Sequence, residues 1–245
     1  MSQEEDFIKS GDQFFQKDKY IDAIREYTKA ADIAKGKNDE VEAEIYSRLS
    51  QAYNALEPKN DENSLKYGLM ALEIHKKLNI PELEVMDEIN LGYIEEDAGK
   101  REEAKKHLQD ALEMGRKLAD PVLLSMAMNA YAEFLSSGKK TAREAMDLYL
   151  ESAEISRKAG EWENYFEAMY GYIGILKENN SGEAFKIAMD SLDKIDEVCK
   201  SIKNKKDRKD FRKSVSFMYD IASDISMENE NVEEAIKIAQ RLNSE

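Results

Sequence analysis

The sequence predicts an all-α solenoid of about six antiparallel helix pairs, and three observations favour this fold class. Small residues recur roughly every 40 residues along the chain. Each begins a pattern in which the residues four and seven positions later share one helical face. The 245-residue chain has only three prolines, and 36% of its residues are charged, which is typical of long amphipathic helices.

The recurring small residues mark the second helix of each pair. They are Ala23, Ser64, Ala104, Ala145, Ala184 and Ala235, at intervals of 41, 40, 41, 39 and 51 residues. The residues four positions later are Tyr27, Gly68, Leu108, Tyr149, Ala188 and Ala239. Those seven positions later are Ala30, Ala71, Ala111, Ser152, Ser191 and Leu242. Small and bulky side chains on one face allow two helices to pack closely.

A first helix precedes each of these second helices. The pattern predicts first helices over residues 6–16, 43–56, 87–99, 125–138, 165–177 and 211–226. Three of them contain glycine at what reads as one repeated position, namely Gly11, Gly92 and Gly171. Because glycine inside a helix costs about 1 kcal/mol, we expect a close helix crossing at this position.

Turn signals separate the predicted helices. Gly99, Gly138 and Gly182 fall inside pairs, and Asp120-Pro121 predicts an N-cap followed by proline in the first turn. Since no segment is typical of a flexible linker, we expect a single domain over residues 1–245. Its predicted units are approximately 4–36, 40–78, 82–118, 121–159, 161–198 and 206–243.

These residues resemble the tetratricopeptide repeat (TPR) family. The resemblance is carried by Phe7, Gly11, Phe14, Tyr20, Ala23, Tyr27 and Ala30 in the first unit, and by Leu91, Gly92, Ala104, Leu108 and Ala111 in the third. The units are near 40 residues rather than 34. The resemblance implies a right-handed superhelix in which the first helices line a concave groove.

The family geometry implies which residues face that groove. They are Ile8, Asp12, Phe15, Ser47, Gln51, Asn54, Met86, Ile89, Tyr93, Glu96, Met128, Tyr165, Ala168 and Tyr172. This set is apolar, aromatic and neutral to acidic, which suits burial against a partner. The alternative is that neighbouring units cover these residues as ordinary core. The basic clamp that some family members use for acidic tails is absent, because Ile8 and Asp12 replace its lysine and asparagine.

The residues do not converge on a catalytic or metal-binding motif. His75 and His107 lie at different repeat positions and are expected to be exposed helix residues. Cys199 has no CxxC partner and is expected to be a half-buried thiol. We therefore expect no enzyme activity and no cofactor. The favoured function is a protein–protein interaction scaffold or adaptor that binds a peptide or helix. A peptide-responsive regulatory sensor is the alternative.

The charge and the cysteine content limit which partners and which cellular compartment are expected. The net charge of −15 disfavours nucleic acid and anionic lipid as general partners. The acidic start does not predict a signal peptide, and no apolar run of about 18 residues predicts a membrane span. A single cysteine suits a reducing environment, so we expect a cytoplasmic protein that binds another protein or peptide, with its oligomeric state left open.

One segment opposes the acidic charge. Residues 200–213 contain eight Lys or Arg and two Asp. The candidate basic patch within it is Lys203, Lys205, Lys206, Arg208, Lys209, Arg212 and Lys213. It reads either as a handle for an acidic partner or for phosphate groups, or as the solvated start of the sixth first helix.

Overall fold

The computed structural model describes residues 2–242, and within that range it contains helices and turns but no strand. The helices are α1 (Gln3–Phe15), α2 (Tyr20–Ala34), α3 (Asp39–Asn54), α4 (Asp61–Leu78), α5 (Pro81–Asp97), α6 (Arg101–Leu118), α7 (Pro121–Ser136), α8 (Ala142–Ala159), α9 (Trp162–Lys177), α10 (Ser181–Ser201), α11 (Lys205–Ser214), α12 (Phe217–Glu228) and α13 (Val232–Leu242). The prediction of an all-α fold is confirmed.

The chain forms two compact units, with the boundary between Leu123 and Leu124. In unit 1, α1 packs on α2, α3 on α4 and α5 on α6, and each pair contacts the next through α2–α3 and α4–α5. In unit 2, α9 contacts both α8 and α10, while α12 packs against α10 and α13. Successive helix pairs therefore build each unit. The expectation that residues 1–245 form one domain stays a prediction.

The recurring small residues form the packing face that the sequence predicts. Ala23, Ser64, Ala104, Ala145 and Ala184 are all fully buried. A larger side chain at these positions would separate the two helices of a pair. The last helix differs, because α13 buries Ala235 and Ile238 while its predicted companion Ala239 is exposed.

The glycines of the first helices mark close crossings, as predicted. A Cβ atom on Gly11 would overlap the Tyr27 ring, and one on Gly92 would overlap Leu108. In both cases the neighbour belongs to the second helix of the same pair. The crossing thus needs a residue without a side chain.

Gly171 has a different neighbour, so its assignment to the same repeat position was wrong. A Cβ atom there would overlap the Tyr149 ring, which belongs to α8 of the preceding pair. Gly11 and Gly92 lie twelve residues before the small residue of their own pair, whereas Gly171 lies thirteen before Ala184. One residue turns a helical position by about 100°, which points Gly171 toward the other neighbour.

The predicted start of the fourth pair is confirmed. Asp120 Oδ1 accepts hydrogen bonds from the backbone N–H groups of Val122, at 2.8 Å, and Leu123, at 3.0 Å. Pro121 is the first residue of α7. An N–H group at this position would have no helical partner. The proline, which lacks an N–H group, therefore costs the helix no hydrogen bond.

The predicted continuous helix over residues 211–226 is wrong. The chain forms two helices there, since α11 ends at Ser214 and α12 begins at Phe217. Val215 and Ser216 occupy the break, and valine and serine both have low helix propensity. Ser214 Oγ donates to the Phe211 carbonyl at 2.9 Å. Local hydrogen bonding and low propensity therefore end α11.

Candidate functional site

A cleft of about 640 Å³ lies in unit 1 and is formed mainly by the first helices α1, α3 and α5. This volume is within the range of ligand-binding sites in proteins. The cleft is lined by Asp12, Phe15, Gln16, Tyr27, Glu40, Glu44, Ser47, Arg48, Gln51, His75, Leu83, Met86, Asp87 and Asn90.

Five predicted groove residues of unit 1 meet at this cleft: Asp12, Phe15, Ser47, Gln51 and Met86. Asn54, Tyr93 and Glu96 are partly buried and lie outside the lining.

For Ile8 and Ile89 the groove prediction is wrong, because both are buried in the helix packing. In α5 the residues that line the cleft are Leu83, Met86, Asp87 and Asn90, which follow the 3–4 residue helical period. Ile89 lies off this stripe. The predicted helices are correct, but their predicted rotation is wrong by one or two positions.

The predicted groove residues of unit 2 are less accessible. Met128 and Ala168 are fully buried, so their prediction as groove residues is wrong. Tyr165 and Tyr172 are partly buried and pack against the core of unit 2 around Phe166. In unit 2 the apolar residues near the glycine position pack against neighbouring helices instead of facing an open groove.

One wall of the unit 1 cleft is an ion-pair network. Asp12 Oδ1 accepts hydrogen bonds from the Tyr27 hydroxyl, at 2.8 Å, and from Arg48 Nε, at 2.9 Å. Arg48 Nη1 also lies 2.9 Å from Glu44 Oε1. The single guanidinium of Arg48 thereby connects α1 to α3.

The cleft also contains a buried carboxylate–histidine pair. His75 and Asp87 are only 2% and 4% exposed, and His75 Nδ1 lies 2.6 Å from Asp87 Oδ2. Ser47 Oγ donates to Asp87 Oδ1 at 2.9 Å. His75 Nε2 is buried and has no hydrogen-bond partner within the described part of the chain.

The expectation that His75 is exposed was therefore wrong, and the sequence did contain a signal for its burial. His75 lies eleven residues after Ser64. That spacing extends the buried positions at four and seven residues by one further turn of the same face. The buried stripe of α4 therefore extends one turn beyond Ala71.

A second buried carboxylate, Glu88, pairs with the other histidine. Glu88 is 1% exposed; His107 Nδ1 hydrogen-bonds to its Oε2, and Lys76 Nζ lies 2.9 Å from its Oε1. Burial alone would raise the pKa of Glu88, but the hydrogen bonds from His107 and Lys76 outweigh it and lower that pKa. The hydrogen bond to Glu88 raises the pKa of His107, with burial opposing it. His107 is thus also not the exposed residue that we expected.

The raised pKa of His107 predicts a pH-dependent contribution to stability. It is fully present below the ordinary histidine value of 6.5 and is lost as the pH rises through the higher folded-state pKa. We expect His107→Ala to lower the free energy of unfolding by about 1.5 kcal/mol at pH 6, and by less at pH 9. Urea denaturation at both pH values measures this. Lys105→Ala, an exposed change on the same helix, should show no such trend; an equal loss at both pH values for His107→Ala would contradict the assignment.

The basic segment separates into an exposed and an inward-facing set. Lys203, Lys205, Lys206, Lys209 and Lys213 are exposed. Arg208 and Arg212 do not belong to that surface, which corrects the prediction for these two. Arg208 Nη2 donates to the Ile202 carbonyl at 2.9 Å, and Arg212 Nη1 donates to Asp196 at 2.9 Å and to the Tyr219 hydroxyl at 2.7 Å. Their i, i+4 spacing places both on the inner face of α11.

Cys199 is buried. Burial raises the pKa of its thiol despite the opposing charge of Arg212, which disfavours the reactive thiolate form at neutral pH. Among residues 2–242, no group of three or more His, Cys, Asp or Glu side chains is placed to hold a metal ion. In the same range, no helix combines the length and apolar character needed to cross a membrane.

No protein-family model matches the chain, and no curated protein matches it. Solved structures share its fold. A Rap protein complexed with competence and sporulation factor is 19% identical, with a TM-score of 0.65 over 96% of this chain and 72% of the Rap chain. The apo form of the quorum sensor NprR from B. thuringiensis is 16% identical, with a TM-score of 0.61 over 96% of this chain and 74% of NprR.

A third similar structure is a signal transduction ATPase with a tetratricopeptide repeat sensor from Pyrococcus horikoshii. It is 17% identical, with a TM-score of 0.67 over 98% of this chain, which spans only 35% of that protein. The chain therefore has the fold of TPR-type helical repeat proteins.

Proposed function

We propose that this chain is a non-enzymatic scaffold or adaptor whose unit 1 cleft holds a peptide or helix of a partner protein. The observation that carries the proposal is the meeting of three first helices, α1, α3 and α5, at one cleft of about 640 Å³. A ligand that spans several repeats gains contacts from each of them.

The side chains of the cleft suit a peptide. Phe15, Leu83 and Met86 provide apolar contacts, while Gln51 and Asn90 provide hydrogen-bonding groups for a peptide backbone. Leu83 is a large apolar residue that is 38% exposed, so a partner could bury it. This mixture of apolar anchors and a few polar groups is typical of peptide-recognition grooves.

The arrangement of Ser47, Asp87 and His75 favours binding over catalysis. In a hydrolase triad the histidine lies between the serine and the carboxylate, because it must take the proton from the serine. Here Asp87 lies between the other two and accepts from both. Ser47 is thereby held by a carboxylate rather than activated by the imidazole.

Peptides selected on the wild-type protein from a random display library test the cleft. We expect Leu83→Ala to weaken their binding about tenfold, or about 1.4 kcal/mol, because the selected peptides would bury this side chain. Isothermal titration calorimetry measures the dissociation constants. Leu150→Ala is the matched control, since Leu150 is an exposed leucine of unit 2, with 44% exposure. If both variants bind the peptides as tightly as wild type, the cleft is not the binding site.

A peptide-responsive sensor is the second candidate. It is favoured by the likeness to a Rap protein solved with competence and sporulation factor and to the quorum sensor NprR. A sensor would change conformation when a selected peptide binds. Small-angle scattering profiles that superimpose with and without saturating peptide would contradict the sensor and leave the scaffold.

A further inference from the structure

The unit 1 cleft carries an excess of negative charge. Its lining contains the carboxylates of Asp12, Glu40, Glu44 and Asp87 but a single fixed cation, Arg48. The formal charge of these five side chains is −3. A concave site of one sign raises the local concentration of ligands of the opposite charge.

The one arginine does not balance this charge, because two carboxylates share it. Arg48 Nε lies 2.9 Å from Asp12 Oδ1, and Arg48 Nη1 lies 2.9 Å from Glu44 Oε1. Asp87 accepts from the Ser47 hydroxyl and pairs with the His75 ring, neither of which is a fixed cation. The unbalanced carboxylates therefore lie on α3 and α5.

A second and independent observation is the unpartnered imidazole nitrogen. The Nδ1 atom of His75 is engaged with Asp87 Oδ2, so Nε2 is the ring nitrogen that is left for a further partner. Nε2 is buried and has no partner in the part of the chain that the structure describes. A buried polar atom without a partner is unfavourable, and a ligand group that hydrogen-bonds to it would remove this cost.

We propose that the cleft binds its ligand through a cationic side chain, lysine or arginine, seated among Glu40, Glu44 and Asp87. This inference rests on the proposed function, since the side chain would belong to the partner peptide. The apolar surface of Phe15, Leu83 and Met86 at the same cleft matches the alkyl stem of such a side chain, while its head reaches the carboxylates.

A pair of small probes tests the charge requirement with the full chain. N-acetylarginine N-methylamide carries the guanidinium, and the matching citrulline derivative has nearly the same shape without the charge. We expect the arginine probe to shift the backbone amide NMR signals of Ser47 and Met86 saturably, and the citrulline probe to bind at least fivefold more weakly. Equal binding of the two probes, or shifts confined to residues outside the cleft, would overturn the inference.

A matched pair of variants assigns the effect to the cleft. Glu40 and Glu102 are exposed glutamates in the first turns of α3 and α6, and only Glu40 lines the cleft. We expect Glu40→Gln to weaken the arginine probe about threefold and Glu102→Gln to leave it unchanged. An identical effect of both changes would mean that only the overall charge of the protein attracts the probe, and would overturn the inference.

The selected display peptides separate failure of this inference from failure of the proposed function. We expect replacement of their Lys or Arg residues by Gln to raise the dissociation constant at least fivefold. If the peptides bind the cleft and this replacement changes nothing, the inference is wrong and the peptide-binding function stands. If the arginine probe binds the cleft but no selected peptide depends on Leu83, the charge inference stands and the proposed function is wrong.

Discussion

Glu88→Ala is expected to lower the free energy of unfolding by about 3 kcal/mol, the lower end of the range for breaking a buried ion pair. Glu88 is 1% exposed, and it joins three helices through His107 of α6 and Lys76 of α4. Its removal leaves His107 Nδ1 without its carboxylate partner and opens a void between packed helices. Lys76 can turn toward water, which keeps the loss moderate.

The loss should depend on pH in a defined direction. The pKa of Glu88 is below its ordinary value of 4.5, so its contribution is present above that pH and is lost as the pH falls through the folded-state pKa. Wild type and variant should therefore converge toward acid. Urea denaturation followed by circular dichroism at pH 7 and pH 4 measures the loss of stability and its dependence on pH.

An exposed pair provides the control for Glu88. Glu113 and Lys117 lie one helical turn apart on the surface of α6, with side-chain exposures of 68% and 70%. Glu113→Ala should leave the urea midpoint almost unchanged, because solvent screens such pairs. If Glu88→Ala is as mild as Glu113→Ala, the buried network does not stabilise the fold.

Gly171→Ala is expected to destabilise the protein by about 2 kcal/mol through overpacking. The added methyl group would overlap the ring of Tyr149, which is itself buried between α8 and α9. Neither the ring nor the helix backbone can move freely, so α8 and α9 must separate. Thermal and urea unfolding measure the loss.

Gly174→Ala is the matched control on the same helix. No atom lies within 4 Å of a Cβ built at Gly174, so only the effect on helix propensity remains. We expect this variant to be more stable than wild type by about 0.5–1 kcal/mol. Opposite signs for two glycines three residues apart would establish the crossing, and two stabilising alanines would refute it.

The local sequence pattern was sufficient to predict the helix pairs, because the pattern of small and bulky residues repeats along the chain. The stripe that begins at Ala23 and recurs near every 40 residues defines both the second helices and the face they bury. The N-cap at Asp120 was equally predictable from the sequence, since a cap depends on residues that are neighbours in sequence. Extending the same stripe by one helical turn also predicts the burial of His75.

The helical rotation of the first helices was less well determined. In α5 the sequence placed both Met86 and Ile89 in the groove, but only Met86 lines the cleft. These two residues are three positions apart, so their side chains point only about 60° apart around the helix. Both are apolar, so the pattern alone did not tell which one faces the core.

The sequence by itself thus determined the helix pairs, their spacing and the face that each second helix buries, because these depend on residues a few positions apart. Only the tertiary structure decided that Asp87 meets His75 and Ser47, that Glu88 meets His107, and that Gly171 crosses Tyr149. Such contacts depend on the distance and rotation between neighbouring helices, which the packing of all their side chains sets jointly.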